Sequence, residues 1–266
     1  MAKHRRGVMH IVGFIPARMG SSRFPGKPLA KICGLSMLEH VYRRSIMSRT
    51  LDDVYIATCD VEIKRAVASF NGKVMMTQAT HERASDRVAE AMLKVEAQQN
   101  RRIDIAVMIQ GDEPMVYPQM IDAAVKPLLM NSKILVSNIM APIETSEEFK
   151  DPNSIKVVID KDNFALYFSR EPIPSPHRKT KNTPAYKQVC IIPFRRDFLL
   201  RFGLLRQTPL EIAESIDMLR VLESGGKIKM VLTNRKTYSV DTPADLKKVE
   251  RHMKNDALLK YYRRRS

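Results

Sequence analysis

The chain has 266 residues, 44% of them apolar, and a formal net charge of +16. That length and apolar content exclude a disordered chain and allow a sizeable core, while the longest apolar runs are strand-sized, too short to cross a bilayer as helices. Three widely spaced cysteines, Cys33, Cys59 and Cys190, exclude a disulfide framework or a zinc site and point to reduced thiols in a cytoplasmic protein.

In chain order, the basic opening MAKHRRGVMHIVGFIP runs from its apolar part straight into a glycine-containing loop. It reads as a first strand over 10–16, not as a signal peptide. A helix is expected near 36–48, with Met37, Leu38, Val41 and Ile46 on one face. A strand at 53–58, a helix at 61–70, a short strand at 73–76 and a helix at 86–97 follow, the last N-capped by Ser85. The strand at 104–109 leads into QGDEP, and Pro118 suits the first turn of a helix over 118–129.

From 134 to 194 the texture becomes strand-rich (ILVSNIM, IKVVID, ALYFS, QVCIIPF), interrupted by the proline-rich loop EPIPSPHRKTKNTP. Helices at 195–202 and 210–224, a strand at 227–233 and a closing helix at 243–255 complete the pattern. Alternating short apolar and longer amphipathic runs predict an α/β fold. The expectation is one domain over 1–266, a Rossmann-like core with a mixed, mainly parallel sheet and 134–194 as an inserted β-rich subdomain.

The charge favours anionic partners such as nucleotides, acidic sugars, nucleic acid or lipid headgroups. There is no zinc-finger spacing, RNA-recognition signature, basic aromatic stripe or tryptophan, so no specific nucleic-acid binding is expected.

In an open α/β sheet ligands bind beyond the carboxyl ends of the strands, and three segments lie there. In RMGSSRFPGKP, Gly20 and Gly26 permit tight turns and Arg18, Arg23 and Lys27 supply permanent cations; the loop is a triphosphate cradle or a solvated basic turn. Its spacing is not that of a Walker loop. In QGDEP, Asp112 is a magnesium ligand or part of a plain turn. In SVDTP, Asp241 is a second metal ligand, or Asp241 or Thr242 caps the closing helix. Glu211, Glu214, Asp217 and Arg220, three apart, form either a solvated helix face or one wall of a pocket.

Together these segments resemble the 3-deoxy-manno-octulosonate cytidylyltransferase family, which activates acidic sugars. The family opening I-P-A-R-x-x-S-x-R-x-P-G-K-P-L fits residues 15–29, Q-G-D-E-P fits 110–114 and V-D-T-P fits 240–243. YIATCD (55–60), SDR (85–87), NSIKVVID (153–160), ALYFSREPIP (165–174) and MLRVLE (218–223) add weaker matches. The resemblance implies a nucleotide-diphospho-sugar transferase fold, a homodimer through the β-rich excursion, and formation of a CMP-sugar and pyrophosphate from CTP and a sugar acid.

It also implies roles. Asp112 and Asp241 would hold Mg2+, with Arg18 and Lys27 also catalytic. Ala17, Arg18, Ser21, Ser22, Arg23, Lys27, Ser85, Arg87 and Asp112 would bind the nucleotide. Gln110, Arg170, Gln188, Ile192, Glu214 and Asp217 would face the sugar. The chain departs from the family there. H-x-G-x-Y-G-Y is replaced by Gln188 to Phe194 (QVCIIPF), so histidine becomes Gln188 and tyrosine becomes Ile192, and E-Q-L-R reads DMLR from Asp217. A site built to bond hydroxyls discriminates strongly against mispairing. The expected acceptor is therefore a relative of Kdo, less hydroxylated or differently substituted. Rival expectations are another base or sugar, a basic nucleic-acid- or membrane-binding protein, and an inactive relative.

Overall fold

The computed structural model describes residues 9–20, 23–176 and 184–263. Strand β1 (Ile11–Pro16) is buried on both faces, as its unbroken apolar run requires. Val12 and Phe14 enter one core layer, Ile11 and Ile15 the other. Gly13 shares the second face, where a Cβ would stand 2.9 Å from Leu51 Cδ1.

A short hairpin, β2 (Lys31–Ile32) and β3 (Leu35–Ser36), precedes helix α1 (Met37–Ser45). Ser36 caps α1, its Oγ accepting from Glu39 N at 3.2 Å. Then come β4 (Asp53–Thr58), α2 (Val61–Ser69), β5 (Val74–Met76), α3 (Ala84–Gln99), β6 (Ile105–Ile109) and α4 (Pro118–Met130). Helix α3 starts two residues before the expected boundary. Arg83 takes the N-cap position, and Ser85 lies inside the first turn.

The strand-rich stretch supplies β7 (Ser137–Pro142), the short α5 (Ser146–Lys150), β8 (Lys156–Ile159), β9 (Ala165–Ser169), β10 (Tyr186–Val189) and β11 (Ile191–Arg195). Helices α6 (Arg196–Leu204), α7 (Pro209–Glu214) and α8 (Met218–Glu223), strand β12 (Lys229–Leu232), α9 (Pro243–Met253) and an unanticipated α10 (Ala257–Arg263) follow. The single helix expected over 210–224 is two, because Ser215 turns into the left-handed region (φ 52°) and ends α7.

The first sheet has the order β11-β6-β1-β4-β5, parallel except for antiparallel β11. The second has the order β12-β7-β10-β8-β9, antiparallel except for the β12–β7 pair. The chain thus passes from the second sheet to the first at Cys190, between β10 and β11. Strand β12, expected to return to the core sheet, instead pairs with β7. Helices α1 and α4 cover one face of the first sheet, and α3 and α6 lie with the second-sheet contacts on the other. The carboxyl ends of β1 and β6 deliver the residue 17–30 loop and QGDEP to the same edge.

Candidate active site

Beyond β1, Ala17 N donates to Ala57 O at 3.0 Å and Met19 N to Asp60 Oδ2 at 2.7 Å, fastening the loop to β4 and its helix. The far side turns at Gly26, whose φ of 72° favours glycine; Gly20 does not adopt that conformation. One tight turn over Lys27–Leu29 then aims Lys27 back at the sheet edge. Its Nζ donates to Val240 O at 2.9 Å and to Asp112 Oδ2 and Asp241 Oδ1 at 3.3 and 3.5 Å. Arg23 Nη2 donates to Asp241 Oδ1 at 2.9 Å, and its Nη1 reaches Asn153 Oδ1.

The backbone holds the two acids together, since Val240 N donates to Asp112 O at 2.9 Å. The cap of α9 is Thr242, bonded reciprocally with Asp245. Asp241 is therefore turned to the cations. QGDEP is a turn, and that turn also presents Asp112. Behind it, burial and then Asp112 push the Glu113 carboxyl up to about 8.

Among the described residues no group of three or more His, Cys, Asp or Glu could hold a metal ion. Two carboxylates around one point nevertheless suit magnesium, which takes one or two carboxylates and completes its octahedron with phosphate and water oxygens. The pair Asp112 and Asp241 fits that ion.

A cavity of about 1020 Å³ runs from this point along β10 and β11. Gln188, Cys190 and Ile192 alternate and line it together. Gln188 Nε2 donates to Asn138 Oδ1 at 2.6 Å. Cys190 O accepts from Gln110 N at 3.1 Å, placing Gln110 beside it. Burial and then Asp112 push the Cys190 thiol well up, so the wall here is neutral. Opposite stands Asp217, its Oδ2 accepting from Ser85 Oγ at 3.3 Å; burial raises its carboxyl and Arg83 opposes that rise. Arg170 also lines the cavity, donating to Glu214 O at 2.6 Å, Pro152 O at 2.9 Å and Ser215 O at 3.3 Å.

Arg23, Lys27, Asp112 and Asp241 thus converge, and Gln110, Arg170, Gln188, Ile192 and Asp217 share the adjoining cavity. Other residues lie elsewhere. Arg18 is exposed on the loop, outside the cavity wall, and Ala17 is buried beneath it. Ser21 and Ser22 lie outside the described residues. Arg87 is buried and donates to Thr77 Oγ1 at 2.6 Å and Gln78 O at 3.3 Å, holding the loop before α3. Ser85 meets the cavity wall through Asp217.

Glu214 stands behind Arg170, accepting from its backbone N–H at 2.8 Å and from Ser169 Oγ at 2.7 Å. Met218, which replaces a polar family residue, is fully buried in the core, so that change does not touch the cavity. The expected polar face splits at Ser215. Glu211 and Arg220 form an internal pair at 2.6 Å, and Asp217 alone of the four lines the cavity. Sequence reasoning passed over Arg83, Lys187 and Cys190 as wall residues. Only Cys190 carried a signal, its period-two spacing with Gln188 and Ile192.

A family model described as Cytidylyltransferase matches residues 12–228. A 3-deoxy-manno-octulosonate cytidylyltransferase of Geobacter metallireducens is 43% identical over 251 residues, 91% of this chain and 96% of its own length. One of Syntrophotalea carbinolica is 42% identical over 92% of this chain and 99% of its own. A solved CMP:2-keto-3-deoxy-manno-octonic acid synthetase complexed with CTP aligns with a TM-score of 0.84 at 38% identity, covering 92% of this chain and 98% of that one. The strand-end motifs, the sheet order that brings them together and these likenesses agree: the chain belongs to the 3-deoxy-manno-octulosonate cytidylyltransferase family and is a nucleotidyltransferase.

Proposed function

We propose that the chain transfers a cytidylyl group from CTP to a 2-keto-3-deoxy sugar acid with Mg2+ as cofactor, releasing pyrophosphate, in the biosynthesis of lipopolysaccharide or another cell-surface polysaccharide. The observation that carries this reading is the convergence of Arg23, Lys27, Asp112 and Asp241 at the mouth of one cavity. Arg23 and Lys27 would take up charge developing on the leaving pyrophosphate, and such transfers need positioning and charge neutralisation more than covalent help. Asp112 and Asp241 would hold the Mg2+, which when bound polarises a phosphoryl oxygen. Arg170 spends three of its five N–H groups on backbone carbonyls. The other two can bind the acceptor's carboxylate and orient its anomeric hydroxyl toward the α-phosphorus.

The curated relatives are named for Kdo activation. The wall of this chain supports a different edge on the sugar. Gln188 Nε2 gives one N–H to Asn138, Gln188 is neutral where the family has histidine, and Cys190 and Ile192 offer no charge. We read the acceptor as a Kdo-like acid with a less hydroxylated or differently substituted edge at that wall. Pyrophosphate release with CTP, Mg2+ and a panel of sugar acids tests both parts. Preferred use of Kdo itself would sink the second, and an Asp112→Asn variant with full activity would sink the metal assignment.

The exposed Leu166 of β9 and Ile212 of α7 support a homodimer, testable by light scattering on a sizing column. The three free cysteines and CTP as donor support a cytoplasmic location.

A further inference from the structure

We propose that Lys156 is a positioning residue that sets Arg23 and Arg170 at their working separation across the cavity; this rests on reading the cavity as the cytidylyltransferase site. Lys156 opens β8 and pairs in register with Lys187 on one side and Ser169 on the other. It is fully buried. A buried ammonium is costly unless every N–H is bonded. Here its partners are the carbonyls of Asp151 and Ser154, both at 2.8 Å, and of Arg170. A carbonyl can only accept, so all three N–H groups of the charged form are used. Among the described residues no carboxylate lies within ion-pair distance of it. Burial holds its pKa below the usual lysine value.

The three carbonyls are not scattered. Two belong to the 151–154 turn, and the third belongs to Arg170 itself. Within that turn, Asn153 Oδ1 accepts from Arg23, which reaches on to Asp241. Pro152 O accepts from Arg170 Nη1 at 2.9 Å. One buried cation therefore binds the turn to the start of the sugar-side loop, and that turn carries an arginine from each half of the site. A purely structural position would be served as well by an apolar side chain of similar size, since such replacements of buried charge are often neutral or stabilising. The charge is explained by the backbone it gathers.

The test is Lys156→Met in the full-length protein, with steady-state constants measured well below its melting temperature. Displacing the turn is expected to raise KM for both CTP and the sugar acid on the order of tenfold or more. Lys156→Gln keeps two donors, so it is expected to shift the same constants by less and guards against a failure to fold. Val157→Ala is the stability control: its neighbouring side chain packs in the main core on the opposite face. It is expected to lower the melting temperature and leave both KM values unchanged. Asn153→Ala cuts the link to Arg23, so its effect on KM for CTP is expected to overlap with that of Lys156→Met and not add to it. Unchanged KM values in Lys156→Met and Lys156→Gln would overturn the proposal. So would strict additivity with Asn153→Ala, or KM changes in Val157→Ala of equal size. If no acid in the panel turns over, the functional reading fails separately, and CTP affinity by calorimetry still carries the same comparison.

Discussion

Arg220→Met probes the corner that holds Asp217 against the cavity. Arg220 donates to both oxygens of Glu211, at 2.7 and 2.6 Å, and to the carbonyls of Phe202 and Leu205, with its guanidinium 4.8 Å from the Phe202 ring centroid. Arg220 is 3% exposed and Glu211 0%. Among the described residues, removing Arg220 leaves the buried Glu211 carboxylate with only the part-exposed Arg83, at 3.4 Å, as a cation, and breaking a buried pair in this way costs about 3–5 kcal/mol. An unfolding entropy of about 2.1 cal/mol/K per residue gives roughly 0.56 kcal/mol/K for this chain, so the melting temperature should fall by about 5–9 °C. Since Glu211 lies in α7 and Arg220 in α8, the variant also removes one link between them, leaving the bonds of Leu210 N and Glu211 N to Glu223. KM for the sugar acid should therefore rise more than KM for CTP. Glu211→Leu combined with Arg220→Met removes both buried charges, leaving only the part-exposed Arg83 without its carboxylate, and should recover much of the lost stability. Thermal denaturation of the two singles and the double, with the two KM values, checks this. A loss below about 1 kcal/mol in the single, the scale of a surface ion pair, would refute the reasoning, as would a double variant costing the sum of the two singles.

Three other outcomes are expected. His40 is fully buried; Ile32 O can only accept, so Nε2 donates to it at 2.7 Å and Nδ1 accepts from Tyr262 OH at 2.6 Å. Burial pulls its pKa from 6.5 to about 4. The folded chain then binds fewer protons than the unfolded chain in that window, so stability present above pH 6.5 is lost as pH falls toward 4, by up to about 1.4 kcal/mol per pH unit. Urea unfolding at several pH values should show a steeper acid loss in the wild type than in His40→Gln; equal slopes would contradict the assignment. Lys27→Met should weaken CTP binding about tenfold or more by calorimetry, the scale of a charge-assisted bond. An affinity within twofold of wild type would remove Lys27 from the nucleotide site. Gln188→His with Ile192→Tyr should raise kcat/KM for Kdo relative to other 2-keto-3-deoxy acids, and an unchanged ratio would show that this wall does not select the sugar.

What was legible in the sequence is what local chemistry decides. IVGFIP is a buried strand because it has no polar position, and it leads to a loop with three cations whatever lies around it. The cap on α9 was legible only as Asp241 or Thr242, and the fold gives it to Thr242. There Thr242 bonds reciprocally with Asp245, three residues on, which leaves Asp241 for other work. The line Glu211, Glu214, Asp217 and Arg220 was misleading because it assumed one continuous helix. A serine, not a glycine, takes the left-handed turn that breaks it, and no residue type there announces the break. Strand β12 was visible by its apolar content, but apolar content does not name a neighbour.

Lys156 was least legible of all, since its partners come from three separate backbone positions that only the folded second sheet gathers. The crossing at Cys190 joins these two kinds of information. Its alternation with Gln188 and Ile192 is local, yet it faces the cavity because β10 pairs with β7 in one sheet and β11 with β6 in the other. The same short run therefore fixes the relation between the two sheets and forms one wall of the cavity. Side-chain changes in it are expected to alter specificity without disturbing Asp112 or Asp241, which are held from the other side of the site by the Val240 bond.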